Sequence, residues 1–159
     1  MLVDLRRKKL VRRYALVLGL LSLLFSFRVV AQLVQVWYPV EFLPAFERWH
    51  SGALPYGWLV GVQGLILVVC LRIVWGVNKG TIASSERKGK ILFVLGIVYL
   101  MTMCVRLIVG LAIAPNHYWF GATLPTVFHL VLGAFVTLYG RFHSLATQLE
   151  SCIPQVQSQ

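Results

Sequence analysis

Acidic residues are scarce in this sequence, and none of them falls inside a long apolar stretch. The 159 residues include 5 Asp and Glu against 15 Lys and Arg, which gives a formal net charge of +10. Membrane carriers of protons or cations place carboxylates inside their spans, so this sequence does not fit that class. The five acids are Asp4, Glu41, Glu47, Glu86 and Glu150.

Cysteines and catalytic motifs are also few. Cys70, Cys104 and Cys152 form no CxxC pair and no metal-ligand spacing. The sequence contains no phosphate-binding glycine loop, no H-E-x-x-H and no G-x-S-x-G. We therefore expect a non-enzymatic protein without a metal site, and these motifs predict no cofactor.

Long apolar runs are what the sequence does contain. It is 58% hydrophobic and 13% charged, with a mean hydropathy of +0.78, whereas soluble domains are about 25% charged. Runs at about 14–37, 55–77, 91–114 and 118–139 are each long enough to cross a bilayer core of about 30 Å as a helix. The sequence therefore predicts an all-α membrane protein, a bundle of four transmembrane helices.

The four spans form one predicted domain over 14–140, between a basic arm (1–13) and a loosely held polar tail (141–159). We also consider two helical hairpins related by a pseudo-twofold, because Arg28 and Arg106 occupy matching places on spans one and three. A Leu-Gly pair precedes each arginine by about ten positions. This similarity favours an internal duplication.

The distribution of basic residues predicts the topology. Eleven of them lie in the arm, the second loop and the tail, whereas loops one and three contain only Arg48. The positive-inside rule then predicts that both termini lie on the cytoplasmic side of the membrane, which we expect to be a bacterial inner membrane or its equivalent. The basic residues cluster at helix ends without an aromatic-interleaved stripe, so nucleic acid is not an expected partner.

Polar side chains share one level of the predicted membrane. Arg28, Gln32 and Gln35 follow one face of span one at i, i+4 and i+7. On the other spans, the corresponding residues are Gln63, Tyr99, Thr102 and Arg106. An arginine at this depth costs on the order of 3 kcal/mol or more unless something compensates its charge.

Four arrangements could satisfy the two arginines. Glu41 or Glu47 could fold inward, carbonyls and glutamines could solvate the guanidinium groups, or the side chains could reach the headgroups. In the fourth, an external anion meets a polar layer of Arg28, Gln32, Gln63, Tyr99, Thr102 and Arg106. This arrangement predicts an accessory or assembly subunit that binds an anionic lipid, a lipophilic ligand, another membrane subunit or a second copy of itself.

His129 on span four supports an alternative function. A membrane histidine can be an axial ligand of haem or chlorophyll, or can bind a quinone in a redox or pigment subunit. Spans one to three contain no second histidine, so a bis-histidine haem would need a homodimer. We expect Pro125 to bend the helix just above His129. A third alternative is a small-anion transporter that works as an oligomer.

Two further patterns concern packing. Gly57 and Gly61 form a GxxxG on span two, which favours close helix packing without specifying the partner. In the first loop, an amphipathic piece is predicted to lie in the membrane interface. Its apolar residues are Phe42, Leu43, Phe46 and Trp49.

Overall fold

Four helices make up most of the chain in a computed structural model, which describes residues 2–38, 40–44, 49 and 55–151. All four are long and apolar enough to cross a membrane, so the predicted four-helix, all-α class is confirmed. Glu47, Phe46 and Cys152 lie outside the described residues. The helices are α1 (Leu2–Trp37), α2 (Tyr56–Lys79), α3 (Glu86–Ala112) and α4 (Thr123–Ser151).

The helix ends differ from the predicted spans at the start of α1, at the start of α3 and at both ends of α4, which continues to Ser151 through the first part of the predicted tail. α1 begins at Leu2 and has 36 residues, about 54 Å of helix, so the basic arm forms its first turns. α4 begins at Thr123 and not at Tyr118. Pro125 therefore lies in the first turn of α4, where a missing N–H breaks no helical hydrogen bond. The physical reason for the predicted bend above His129 does not apply.

The helices pack in the order α2, α1, α4, α3. α1 packs against both α2 and α4, and α3 packs against α4, while the described helices show no comparable packing between α2 and α3. A pseudo-twofold that exchanges the two hairpins would require an α2–α3 contact to match the α1–α4 contact. The hairpins are thus not equivalent in their packing, and α2 and α3 form the two edges.

Glycines bring α3 and α4 close together. Gly89, Gly96 and Gly110 on α3, and Gly133 and Gly140 on α4, recur at multiples of seven residues. A Cβ at Gly140 would lie 2.5 Å from the main-chain nitrogen of Phe93, and one at Gly89 would lie 3.0 Å from the carbonyl oxygen of Gly140. A seven-residue repeat of small residues is typical of helices that cross at a shallow left-handed angle.

The buried apolar side chains form two clusters. One joins α1, α2 and α4 in the half of the bundle that carries the basic arm, and the other joins α1 and α4 at the opposite end. Trp49 belongs to the second cluster and is only 3% exposed, so this part of the first loop packs inward. The buried members are Ala15, Leu18, Cys70, Val77, Phe135, Phe142 and Ala146 in the first, and Ala31, Trp49 and Phe128 in the second.

Candidate functional site

The polar stripe of α1 faces the protein interior. Arg28, Gln32 and Gln35 are 5%, 1% and 8% exposed, respectively. Gln35 Oε1 accepts a hydrogen bond from the main-chain nitrogen of Val40 at 3.1 Å, which ties the start of the first loop to the end of α1. The i, i+4, i+7 spacing puts all three side chains on the face that packs against α2, α4 and the loop.

Arg28 is held by the first loop. Its Nη2 donates to the carbonyl oxygen of Trp49 at 3.0 Å, and its guanidinium carbon lies 5.4 Å from the centroid of the Phe128 ring. Its Nε has no hydrogen-bond partner in the described part of the chain. The loop therefore supplies a neutral acceptor and an aromatic ring supplies a π face, but neither contact cancels the charge.

A glutamine pair connects α1 to α2 beside Arg28. Gln63 Nε2 donates to Gln32 Oε1 at 3.4 Å, which is a long hydrogen bond. The other polar atoms of the pair, Gln32 Nε2 and Gln63 Oε1, have no partner within residues 2–38, 40–44, 49 and 55–151. Both side chains are more than nine-tenths buried. The pair thus leaves one donor and one acceptor unused.

Arg106 is held in a similar way by the turn between α3 and α4. Its Nε and Nη2 both donate to the carbonyl oxygen of Trp119, at 3.3 Å and 2.7 Å, and its guanidinium carbon lies 4.1 Å from the centroid of the Trp119 ring. Gly110 allows this turn to approach, because a Cβ there would collide with the carbonyl group of Phe120. Arg106 is 5% exposed.

Tyr99 and His129 form a second polar contact between α3 and α4. The Tyr99 hydroxyl lies 2.7 Å from His129 Nδ1, and the two rings meet edge to face at a centroid distance of 6.1 Å. Both residues lie on the α3–α4 side of the bundle, as Arg106 does.

Thr102 does not join the other predicted site residues. Its side chain is exposed on the outer face of α3, and its hydroxyl donates to the carbonyl oxygen of Val98 one turn earlier. The structure thus places five of the six predicted residues in four contacts, namely Arg28 with the first loop, Gln32 with Gln63, Arg106 with Trp119, and Tyr99 with His129. Thr102 makes none of these contacts.

No carboxylate among the described side chains is paired with either arginine. Glu41 is exposed, and Glu86 forms an ion pair with Lys90 at 2.7 Å on the far end of α3. Of the four arrangements considered, the described contacts correspond to solvation by main-chain carbonyls. The low exposure of both arginines is incompatible with side chains extended to the surface.

The main acceptors at this site could not be found from the sequence. Both are main-chain carbonyls of tryptophans, Trp49 and Trp119, and every residue offers a carbonyl group, so no side-chain pattern identifies them. The glycines that bring α3 and α4 together do have a signal, which is their spacing at multiples of seven residues. The spacing of small residues is therefore the pattern that sequence reasoning missed.

The chemistry of the layer is that of a hydrogen-bond donor site. Its unused donors, Arg28 Nε and Gln32 Nε2, suit an anion or another acceptor. The described residues include no group of three or more His, Cys, Asp or Glu side chains that could hold a metal ion. No family model, curated protein or solved structure matches this chain.

Proposed function

We propose that this chain is a non-enzymatic accessory or assembly subunit of a membrane complex. Its four helices cross a bacterial inner membrane or an equivalent membrane, and both termini lie on the cytoplasmic side. Its arginine–glutamine layer receives an anionic group, either a carboxylate on a helix of a partner subunit or the phosphate of a lipid. The residues that form the layer are Arg28, Gln32, Gln63 and Arg106.

The observation that carries the proposal is that, among the described side chains, no carboxylate lies beside either of two buried cations. Arg28 and Arg106 are each 5% exposed, and the described acceptor of each is a neutral carbonyl. A buried charge is normally paired, because desolvation of an isolated ion costs several kcal/mol. A cation retained at this cost in a membrane span is a candidate binding group, and its partner has to be anionic.

The open edges of the bundle support a protein partner. Few residues of the two edge helices are buried within the chain. In the most apolar 18 residues of each helix, the buried share is 11% for α3 and 22% for α2. A Cβ at Gly57, Gly61 or Gly64 of α2 would meet no atom of the described residues within 4 Å, so the GxxxG of this helix packs against none of them. Small residues at such spacing allow another helix to approach closely. The glycine face of α2 is therefore where we place the partner helix.

The experiment removes charge from the layer while keeping its hydrogen-bond donors. In R28Q/R106Q, the glutamine amides can still donate to the tryptophan carbonyls, but neither side chain is charged. We expect the principal lipid or membrane protein that copurifies with the tagged chain from its native membranes to fall about tenfold, since buried charge pairs are worth more than 1.4 kcal/mol. Quantitative mass spectrometry of the purified sample measures both lipid and protein.

The matched control is R72Q/R141Q, which removes two arginines that are exposed on the surface. It should retain the copurifying component at the wild-type level, and R28K/R106K should recover part of it because lysine restores the charge. If R28Q/R106Q folds and retains the component as well as the wild type does, the proposal is wrong. Equal losses in both double variants would indicate a general charge effect and would also contradict it.

A second candidate is the redox or pigment subunit that uses His129. The 2.7 Å contact from Tyr99 to Nδ1 favours it, because a hydrogen bond to one imidazole nitrogen orients the ring and leaves the other for a metal or a quinone. The fit is incomplete, since spans one to three offer no second histidine. Haem or chlorophyll would colour the purified protein, so its visible spectrum distinguishes these cofactors from the first proposal.

A further inference from the structure

A groove runs between the first turns of α1 and the last turns of α2, at the end of the bundle remote from the arginine–glutamine layer. It consists of two cavities of about 640 Å³ and 470 Å³ that share Arg12 and Asn78 in their walls. Each is of the size of ordinary small-molecule sites, about 300–1,000 Å³. We call this feature the α1–α2 groove.

The smaller cavity is strongly basic. Four cationic side chains line it, and the described residues of its walls include no carboxylate. α2 ends here at Gly80, whose φ of 65° is left-handed, and the main-chain nitrogens of Gly80 and Thr81 bond back to Val77 and Gly76. The cations are Arg7, Lys8, Arg12 and Lys79.

The larger cavity is apolar and continues from the basic one toward the middle of the helices. Leu16 and Trp75 line it and are 59% and 62% exposed, so the cavity opens to the outside of the bundle. Lys79 Nζ lies 4.1 Å from the centroid of the Trp75 ring, at the junction of the two parts. The other apolar lining residues are Ala15, Leu71 and Val74.

We infer that the α1–α2 groove binds an anionic phospholipid. The phosphate lies among Lys8, Arg12 and Lys79, and an acyl chain lies along the apolar cavity. A soluble anion would use only the basic part, whereas a phospholipid matches both the charge and the adjoining apolar walls. Basic pockets between helices on the cytoplasmic side of a membrane are known to bind such headgroups.

This inference does not depend on the function proposed above, because the two sites lie at opposite ends of the bundle and share no residue. Arg28 and Arg106 are not in the walls of the groove. Failure of the lipid experiment would not affect the proposal for the arginine–glutamine layer. Failure of the copurification experiment would likewise not affect the proposal for the α1–α2 groove.

The test is lipid titration of the purified full-length chain in mild detergent, followed by native mass spectrometry. The probes are phosphatidylglycerol and phosphatidylcholine with the same acyl chains. We expect the first phosphatidylglycerol to bind the wild type about tenfold more tightly than phosphatidylcholine, and K8Q/R12Q/K79Q to lose this preference. Each cation near an anionic headgroup contributes about fivefold to the lipid affinity, and the triple variant removes three of them. All three are exposed, so the fold should be unaffected.

The matched control lies on the other side of α1. Arg6, Lys9 and Arg13 line a separate cavity of about 450 Å³ toward α4, and they carry the same charge on the same turns. R6Q/K9Q/R13Q should keep the preference for phosphatidylglycerol. Equal losses in the two triple variants would show diffuse attraction to the basic end, and equal binding of both lipids by the wild type would show no headgroup site. Either result overturns the inference.

A second pair of variants tests the acyl-chain part. Leu16→Trp puts a bulky indole ring into the apolar cavity and should weaken the binding of both lipids. Leu95→Trp, at a similarly exposed position on α3 (58%), should not weaken it. Soluble glycerol phosphate should fail to displace bound phosphatidylglycerol. Displacement by glycerol phosphate, or unchanged binding in Leu16→Trp, would reduce the site to an anion pocket and contradict the inference.

Discussion

Gly96→Leu is expected to separate α3 from α4 and to lower the free energy of unfolding by about 3 kcal/mol. A Cβ at Gly96 would collide with the Thr137 hydroxyl and would lie 2.7 Å and 2.9 Å from the main-chain nitrogen and Cα of Thr137. Main-chain atoms cannot move aside as the end of a flexible side chain can, so the two helices must shift apart. Equilibrium unfolding in mixed detergent micelles measures the loss.

The matched control for Gly96 is Gly61→Leu, which makes the same substitution on α2. A Cβ at Gly61 meets nothing within 4 Å, so we expect a change within about 0.5 kcal/mol, as for other surface positions. If both variants lose the same stability, helix propensity or detergent binding explains the effect and the glycine interface does not. Gly61→Leu should instead weaken association with the proposed partner helix.

Trp49→Ala is expected to lower the free energy of unfolding by about 3–5 kcal/mol. Trp49 is 3% exposed and packs with Ala31 and Phe128. Its indole Nε1 donates to the carbonyl oxygen of Pro44 at 2.8 Å. Without the ring, the loop loses its anchor, and the carbonyl that accepts from Arg28 is no longer held in place. The same unfolding assay measures the loss.

Trp58→Ala is the matched control for Trp49→Ala. Trp58 is 73% exposed, so its removal should change the unfolding free energy by less than about 0.5 kcal/mol in detergent. The loss of stability in Trp49→Phe should fall between those of the two alanine variants. The phenylalanine ring can still pack and hold the main-chain carbonyl in place, but one hydrogen bond worth about 1 kcal/mol is lost. A loss in Trp58→Ala as large as that in Trp49→Ala would contradict the anchoring role.

The number and class of the helices could be predicted because long apolar runs leave few alternatives. Their ends were harder to predict. The basic residues of the arm interrupt the hydropathy pattern but not the helix, since Arg and Lys are good helix formers. The start of α4 was placed too early because Tyr118 and Trp119 are apolar enough to continue a span. In the structure, they form the turn that holds Arg106.

The candidate site was predicted in part. Helical spacing placed Arg28, Gln32 and Gln35 on one buried face, and the structure agrees. Thr102 was grouped with Arg106 because they are four residues apart, yet its hydroxyl is satisfied by its own helix and its side chain points outward. Trp49 was expected in the interface, but a tryptophan in an amphipathic loop can also pack inward, and its sequence pattern does not distinguish the two.

We propose that the anion for Arg28 comes from outside the chain, and a double-mutant cycle tests this claim most directly. The cycle compares the unfolding free energies of the wild type, R28Q, E47Q and R28Q/E47Q in detergent. Our account predicts that the effects of the two single substitutions add to within about 0.5 kcal/mol, as they do for independent sites. A coupling energy of about 2 kcal/mol or more would show that Glu47 pairs with Arg28 inside the chain, and the proposed anionic partner would then not be needed at this arginine.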